Sequence, residues 1–299
     1  MSGAGPSPAP TLVFGVGATK AGTSWLYRFL AQHPECHLRS IKELHFFDAL
    51  EKGGDFQLTQ QRRRARSLSR RLDEVGAAAP EAPRLRRQLT DVEAYAQVLA
   101  AGDTDGYLRY LTEGRRDRSV IADVTPAYAL LPEERLGQMA RLAPVTRFVY
   151  LMRDPVSRLW SHVRMLAARA VKKDGGEMET AAARIFDRVE RGQQPDVTRR
   201  GDYADCLTRL DRAVPRDALW TGFYETLFTP QSVAAICAFL GIAPAEGRYD
   251  RRVHEGAPLR MTDDQRARAA RLLAPQYDFA RARMGRLPPQ WDANLEAVG

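Results

Sequence analysis

The stretch that most constrains this chain is its first apolar run together with the turn and helix beyond it. Thr11–Val16 reads TLVFGV, a short β-rich segment that breaks at Gly15, Gly17 and Gly22. Ser24 to His33 then places Trp25, Leu26, Phe29 and Leu30 at helical spacing, and Pro34 stops the helix. Strand, glycine-rich turn and helix in that order open a βαβ unit, which returns the chain to a parallel sheet. Ser119–Asp123 (SVIAD), Arg147–Met152 (RFVYLM) and Ala218–Tyr224 (ALWTGFY) read as further buried strands. Helices are expected from Asp154-Pro155 to about Arg169 and from about Pro230 to Leu240. The expected fold class is α/β, three layers with a central parallel sheet flanked by helices.

The domain reading is a small-residue and proline tail over 1–10, expected to be disordered, then one domain over 11–299. Two insertions interrupt it. The basic one, about 52–90, carries QRRRARSLSRRL and RLRR and is broken by Gly76, Pro80 and Pro83; the polar one spans about 171–198. Both read as irregular, partly helical additions at the sheet edge. A hydrophobic content of 44% with 27% charged residues excludes a disordered chain. No apolar run is long enough to span a bilayer, and the N-terminus lacks a signal-peptide pattern. Cys36, Cys206 and Cys237 have neither zinc-ligand nor disulfide-framework spacing, so a reducing, cytoplasmic setting is expected. The net charge of +8 suits an anionic partner, although arginine-rich composition accounts for much of it.

Gly17-Ala18-Thr19-Lys20-Ala21-Gly22-Thr23-Ser24 lies between the first strand and the first helix. Such a turn gathers backbone N–H groups at the positive end of the helix dipole and holds an anion, and its glycines let the backbone approach a phosphate. The glycine spacing matches an ATP-binding P-loop, so the fold is expected to be P-loop-like. The lysine position of that motif, however, is Thr23, and the loop's lysine is Lys20. A lysine in mid-loop suits the bridging region of a shorter phospho-anhydride. Further on, Arg153 ends a strand, where ligands bind in open sheets, and Ser161 lies on the following helix. An arginine fork and a hydroxyl converging there suit a terminal phosphate.

Lys20-Ala21-Gly22-Thr23-Ser24-Trp25 resembles the K-x-G-T-[ST] loop of sulfotransferases that use 3′-phosphoadenosine-5′-phosphosulfate (PAPS). Arg153-Asp154-Pro155-Val156-Ser157-Arg158-Leu159-Trp160-Ser161-His162 resembles the same family's 3′-phosphate motif. The resemblance implies that Lys20, Ala21, Gly22, Thr23, Ser24 and Trp25 wrap the 5′-phosphosulfate, with Lys20 stabilising the leaving oxygen. It implies that Arg153 and Ser161 hold the 3′-phosphate and that Arg158 supports the helix or the phosphate. No metal is required in this reading, because protein donors cradle the anhydride. The family's Golgi members carry a membrane anchor, and its absence here points to a bacterial-style soluble enzyme.

Lys42-Glu43-Leu44-His45-Phe46-Phe47-Asp48 sets a charged pair against aromatic residues, where a carboxylate could be desolvated and its basicity raised. It resembles K-E-x-x-[FY]-F of the heparan sulfate and carbohydrate branch, whose glutamate is the general base. That match assigns the role to Glu43, with His45 as rival. Asp123-Val124-Thr125-Pro126-Ala127-Tyr128 resembles the branch's E-K-T-P-x-Y, but Val124 replaces the lysine, which weighs against a heparan-like acceptor. Arg200-Gly201-Asp202-Tyr203-Ala204 resembles a segment near the acceptor cleft and makes Tyr203 a contact candidate. Arg252, His254 and Arg260 sit where the family has a basic loop over the nucleotide. The expected activity is in-line sulfuryl transfer from PAPS to a hydroxyl or amine of a carbohydrate or small molecule. The alternatives are a P-loop nucleotide kinase or NTPase, and an anion or nucleic-acid binder using Gln61–Arg87. The oligomeric state is left open.

Overall fold

The runs at Thr11–Gly17, Val120–Val124 and Thr146–Met152 become strands buried on both faces, because helices cover the sheet above and below, whereas the run at Leu219–Phe223, expected to be buried, forms the edge strand and is only half-buried. The computed structural model describes residues 8–244 and 259–295. In chain order the elements are β1 (Thr11–Gly17), α1 (Thr23–Gln32), β2 (Cys36–His37), α2 (Phe46–Lys52), α3 (Asp55–Val75), α4 (Ala82–Ala101) and α5 (Thr104–Thr112). There follow β3 (Val120–Val124), α6 (Glu133–Ala140), β4 (Thr146–Met152), α7 (Pro155–Asp174), α8 (Met178–Glu190), α9 (Pro195–Arg199) and α10 (Tyr203–Ala213). The chain ends with β5 (Leu219–Phe223), α11 (Pro230–Leu240), α12 (Asp263–Met284) and α13 (Asp292–Leu295). No helix among the described residues is long and apolar enough to cross a membrane.

The strands form one parallel sheet in the order β2-β3-β1-β4-β5. β1 sits between β3 and β4, with Phe14 opposite Asp123 on one side and Phe148 on the other. The chain builds out from β1 to one edge, returns through β3, then continues on the other side through β4 and β5. The direction of winding therefore reverses at β1, and in such sheets the crevice beyond the carboxyl ends of the strands at that point is the ligand site. The expected α/β architecture is the observed one. β2, only two residues long, carries no apolar run and was not legible.

The basic segment is more regular than its composition suggests. α3 and α4 form an antiparallel hairpin, and Gly76, Pro80 and Pro83 lie in or beside its turn rather than breaking a loop. Leu58, Ala65 and Leu68 of α3 pack toward the core while Leu85, Val92, Tyr95 and Leu99 of α4 are buried. The polar segment is also mainly helical: α8 packs along α7 through Ala182, Ile185 and Phe186.

Candidate active site

The carboxyl ends of the strands open into a cleft of about 800 Å³. Thr19, Lys20 and Gly22 reach it from the β1 loop, Pro126 and Ala127 from the turn after β3, Arg153 from the end of β4, and Tyr224 from the end of β5. α7 contributes Ser161, His162, Met165 and Arg169. Glu43 and His45 close it from the segment before α2. Lys20, Lys42, Arg153, Arg169 and Arg200 line it against only Glu43 and Asp196 among the described residues. A concave, cation-rich cavity of this kind concentrates anions.

The β1 loop is shaped by two left-handed residues, Lys20 at φ 73° and Gly22 at φ 98°. A non-glycine residue there costs about 1–2 kcal/mol, so its position must be fixed by neighbours. The Arg153 guanidinium donates to the Lys20 carbonyl at 3.3 Å, and the Ala18 N–H donates to the Leu151 carbonyl at 2.7 Å. Gly22 begins α1 without a side-chain cap, whereas Asp154, Asp202 and Thr229 cap α7, α10 and α11. The first N–H groups of a helix lack intrahelical acceptors, and Thr23 and Ser24, the first two residues of α1, line the cleft, while the Trp25 N–H already donates to the Gly22 carbonyl at 2.9 Å. Gly22 also has no room for a side chain, since a Cβ would meet the Tyr224 ring at 2.9 Å. Gly17 differs from expectation: the group it admits is the Tyr150 ring, which occupies the place a Cβ would need.

Lys20 points across the cleft toward α7, its Nζ 4.0 Å from the Met165 sulfur. Burial lowers its pKa, as do the charges of Arg153, Arg164 and Arg169. An entering anion would reverse that disfavour. Arg153 lies over the Tyr224 ring, 4.7 Å from its centroid. Its backbone is held by Tyr203, whose hydroxyl donates to the Arg153 carbonyl at 2.5 Å. Asp154 caps α7 by accepting from the Ser157 N–H at 2.7 Å. Tyr277 and Asn294 donate to the same carboxylate from α12 and α13. The start of α7 is thus fixed, and Ser161, Met165 and Arg169 follow at four-residue steps along one face.

Not every sequence candidate reaches the cavity. Ala21 is buried behind the loop. Arg158 is 1% exposed and donates to the Val197 carbonyl at 3.2 Å, with Gly201 pressed against its guanidinium. It braces α7 against α9. Tyr203 is fully buried and acts through Arg153. Arg260 is exposed and outside the cleft lining. Arg252 and His254 lie outside the described residues. Glu43, Lys20, His45, Gly22, Thr23, Ser24, Trp25, Arg153 and Ser161 all share the cavity wall. Sequence reasoning missed Met165, Arg169 and Arg200. The first two were findable as Ser161 plus four and plus eight on a helix, and Arg200 stands three residues before Tyr203.

The Glu43 turn corrects one expectation. Burial acts to raise its pKa, but the neighbouring His45 and the charge and hydrogen bond of Lys42 outweigh it and bring the carboxyl down to about 2. Its basicity is therefore depressed rather than raised. His45 lies between two carboxylates, with Nδ1 2.7 Å from Asp48 and Nε2 3.7 Å from Glu43. Burial acts to lower its pKa, but the hydrogen bond to Asp48 and the charges of Asp48 and nearby Glu43 raise it to about 9. Both Glu43 and His45 have positive φ, at 62° and 57°. A buried frame holds them there. Asp123 accepts from Tyr107, Tyr128 and Thr125, while the Phe46 N–H donates to the Tyr128 hydroxyl at 2.9 Å and Tyr95 donates to the Leu44 carbonyl at 2.7 Å.

A folded-state pKa raised from 6.5 to about 9 means that His45 stabilises the fold fully below about pH 6.5 and loses this contribution as pH rises through about 9. The melting-temperature gap between the wild-type protein and His45→Gln should be widest below about pH 6.5 and close above about pH 9. A gap constant across that range would contradict the ion-paired imidazolium.

The sequence matches the family described as "Sulfotransferase family" over residues 10–246. No curated protein matches it. Among solved structures, a sulfotransferase from Alicyclobacillus acidocaldarius is similar at 22% identity and a TM-score of 0.61, covering 95% of this chain and 98% of that one. The sulfotransferase domain of the curacin biosynthetic pathway is 19% identical at a TM-score of 0.48, over 88% and 97% of the two chains. That of the Synechococcus PCC 7002 olefin synthase is 19% identical at 0.45, over 89% and 95%.

Proposed function

The chain belongs to the sulfotransferase family, and from that premise we propose that it moves a sulfuryl group from PAPS to a hydroxyl or amine of a carbohydrate or small-molecule acceptor. One observation carries the reading. Lys20 with the uncapped start of α1, and Arg153 with Ser161, line one electropositive cavity. That donor set fits a nucleotide with phosphate at both ends.

Thr23 and Ser24 would hold the 5′-phosphate by backbone and hydroxyl groups, and Arg153 and Ser161 the 3′-phosphate. The bound donor supplies an activated sulfuryl group on a phosphosulfate anhydride. Lys20 is placed to neutralise charge that grows on the leaving oxygen. Glu43 takes the acceptor's proton on its carboxylate. His45 is the weaker candidate base, because as an imidazolium it has both nitrogens engaged by carboxylates and no lone pair to offer near neutral pH. The acceptor enters beside Glu43, where Phe56 forms part of the wall.

Thermal melting with adenosine 3′,5′-bisphosphate tests the nucleotide site. A ligand at about 100 times its Kd adds ~2.7 kcal/mol, or about 5 °C at roughly 2 °C per kcal/mol for a chain of this size. The shift should disappear in Arg153→Ala. A shift with ATP and Mg²⁺ but none with the bisphosphate would overturn the reading in favour of a kinase or NTPase.

A further inference from the structure

On α7 one histidine faces the cleft without a partner. His162 stands one turn after Arg158, one turn before Met165 and two before Arg169, so all four share one helix face. Arg158 is buried beneath that face, while His162, Met165 and Arg169 line the cleft. His162 is only 5% exposed, and its Nδ1 is buried with no hydrogen-bond partner among the described residues. The other described histidines are engaged. His33 and His37 each bond to a backbone carbonyl, and His45 bonds to the Asp48 carboxylate. A buried polar atom without a partner destabilises the free protein, and a ligand that supplies one binds more tightly for it.

The charges acting on this ring are of one sign. Arg158 and Arg169 face it from its own helix, Lys20 from the β1 loop, and Arg200 from the segment between α9 and α10. Asp196 of α9 and Glu43 are the only acids lining the cleft among the described residues. On the helices packed along α7, Asp187 and Glu190 of α8 and Asp264 of α12 are ion-paired with Arg268. We propose that His162 is a further nucleotide-binding residue, which takes a proton from solvent as the doubly phosphorylated ligand enters and holds a phosphate oxygen as an imidazolium. This deepens the sulfuryl-transfer reading and rests on its two-phosphate nucleotide. Burial and the four cations bring the pKa of the free ring down to about 3, so it is neutral in the resting cleft. Two phosphate groups bring roughly three to four negative charges. They offset Lys20 and the three arginines and so remove what disfavours the imidazolium. One ring nitrogen already carries hydrogen, the other gains the proton, and both then donate. Because the bound ring holds a proton that the free ring lacks, affinity must rise as pH falls.

Isothermal titration with adenosine 3′,5′-bisphosphate, in buffers of different ionisation enthalpy, counts the protons taken up on binding. At about pH 6 the wild-type protein should take up more protons per bound nucleotide than His162→Gln, whose amide cannot be protonated. The variant should bind on the order of tenfold more weakly at about pH 6, since a charge-assisted hydrogen bond is about twice as strong as a neutral one. That gap should narrow toward about pH 8.5. The nucleotide's own phosphates titrate alike in both proteins, so the difference belongs to the histidine. Proton NMR of the wild-type imidazole Hε1 signals is a second measurement that needs no variant to fold. Saturating nucleotide at about pH 6 should convert one ring from neutral to cationic. Equal proton uptake and equal affinity in the two proteins, or no ring changing its charge, would overturn the proposal and leave the nucleotide site standing. No binding of the bisphosphate by wild type would overturn the sulfuryl-transfer reading and this inference with it.

Discussion

Replacing Lys20 with alanine is expected to lower kcat by about 10³-fold, equivalent to ~4 kcal/mol of transition-state stabilisation, while the melting temperature stays near the wild-type value. Two features separate catalysis from stability at this position. The ammonium group is partly buried and contacts the Met165 sulfur, and burial with the charges of Arg153, Arg164 and Arg169 outweighs the attraction of Glu43, so its charge is net unfavourable in the resting fold. Alanine suffers the same left-handed penalty as lysine at φ 73°, so the backbone preference is unchanged. Removing the side chain should relieve repulsion and remove only the group proposed to meet the leaving oxygen. Single-turnover sulfuryl transfer with excess enzyme measures the loss directly. Retention of more than about a tenth of wild-type kcat would show that Lys20 is not the leaving-group cation.

Glu43→Gln should cost about 10²–10⁴-fold in kcat, the range for loss of a positioned base, with the bisphosphate melting shift preserved. Glutamine keeps the shape of the side chain but cannot take a proton. The wild-type carboxylate stays ionised down to about pH 2, because His45 and Lys42 outweigh its burial. No acid limb from this group is therefore expected in the rate profile at mildly acidic pH. A proton acceptor of such low basicity acts late, when the acceptor oxygen has become acidic through bonding to sulfur. The paired measurement is His45→Gln, which removes an ion-pair partner of Glu43 and should cost less than the glutamate change. If Glu43→Gln turned over at nearly the wild-type rate and His45→Gln were inactive, the base would be His45.

Much of the site was readable because its parts are local. TLVFGV followed by a glycine turn and an amphipathic segment dictates strand, loop and helix through short-range backbone preferences, and Lys20 sits where that loop must curve. The Asp154-Pro155 pair likewise marks the start of α7, because aspartate caps and proline tolerates the first helical position. The basic segment was harder. Its packing face consists of a few isolated leucines and alanines among arginines, so periodicity was weak and the glycines and prolines of the hairpin turn looked like disorder.

The chain alone determined the strand–turn–helix opening, the apolar runs that become β3, β4 and β5, the start of α7, and where Lys20 and Arg153 stand along these segments, since each depends on neighbours within a few residues. Only the tertiary structure decided that buried Arg158 and Tyr203 brace α7 and the Arg153 backbone, and that Lys20 faces Met165 across 145 positions of sequence. It also decided that the Glu43 carboxylate is held between Lys42 and His45, which bring its pKa down to about 2. The reason is physical: backbone preference is short-ranged, whereas burial and charge are set by whichever side chains the sheet brings within a few ångströms, and no local pattern encodes them.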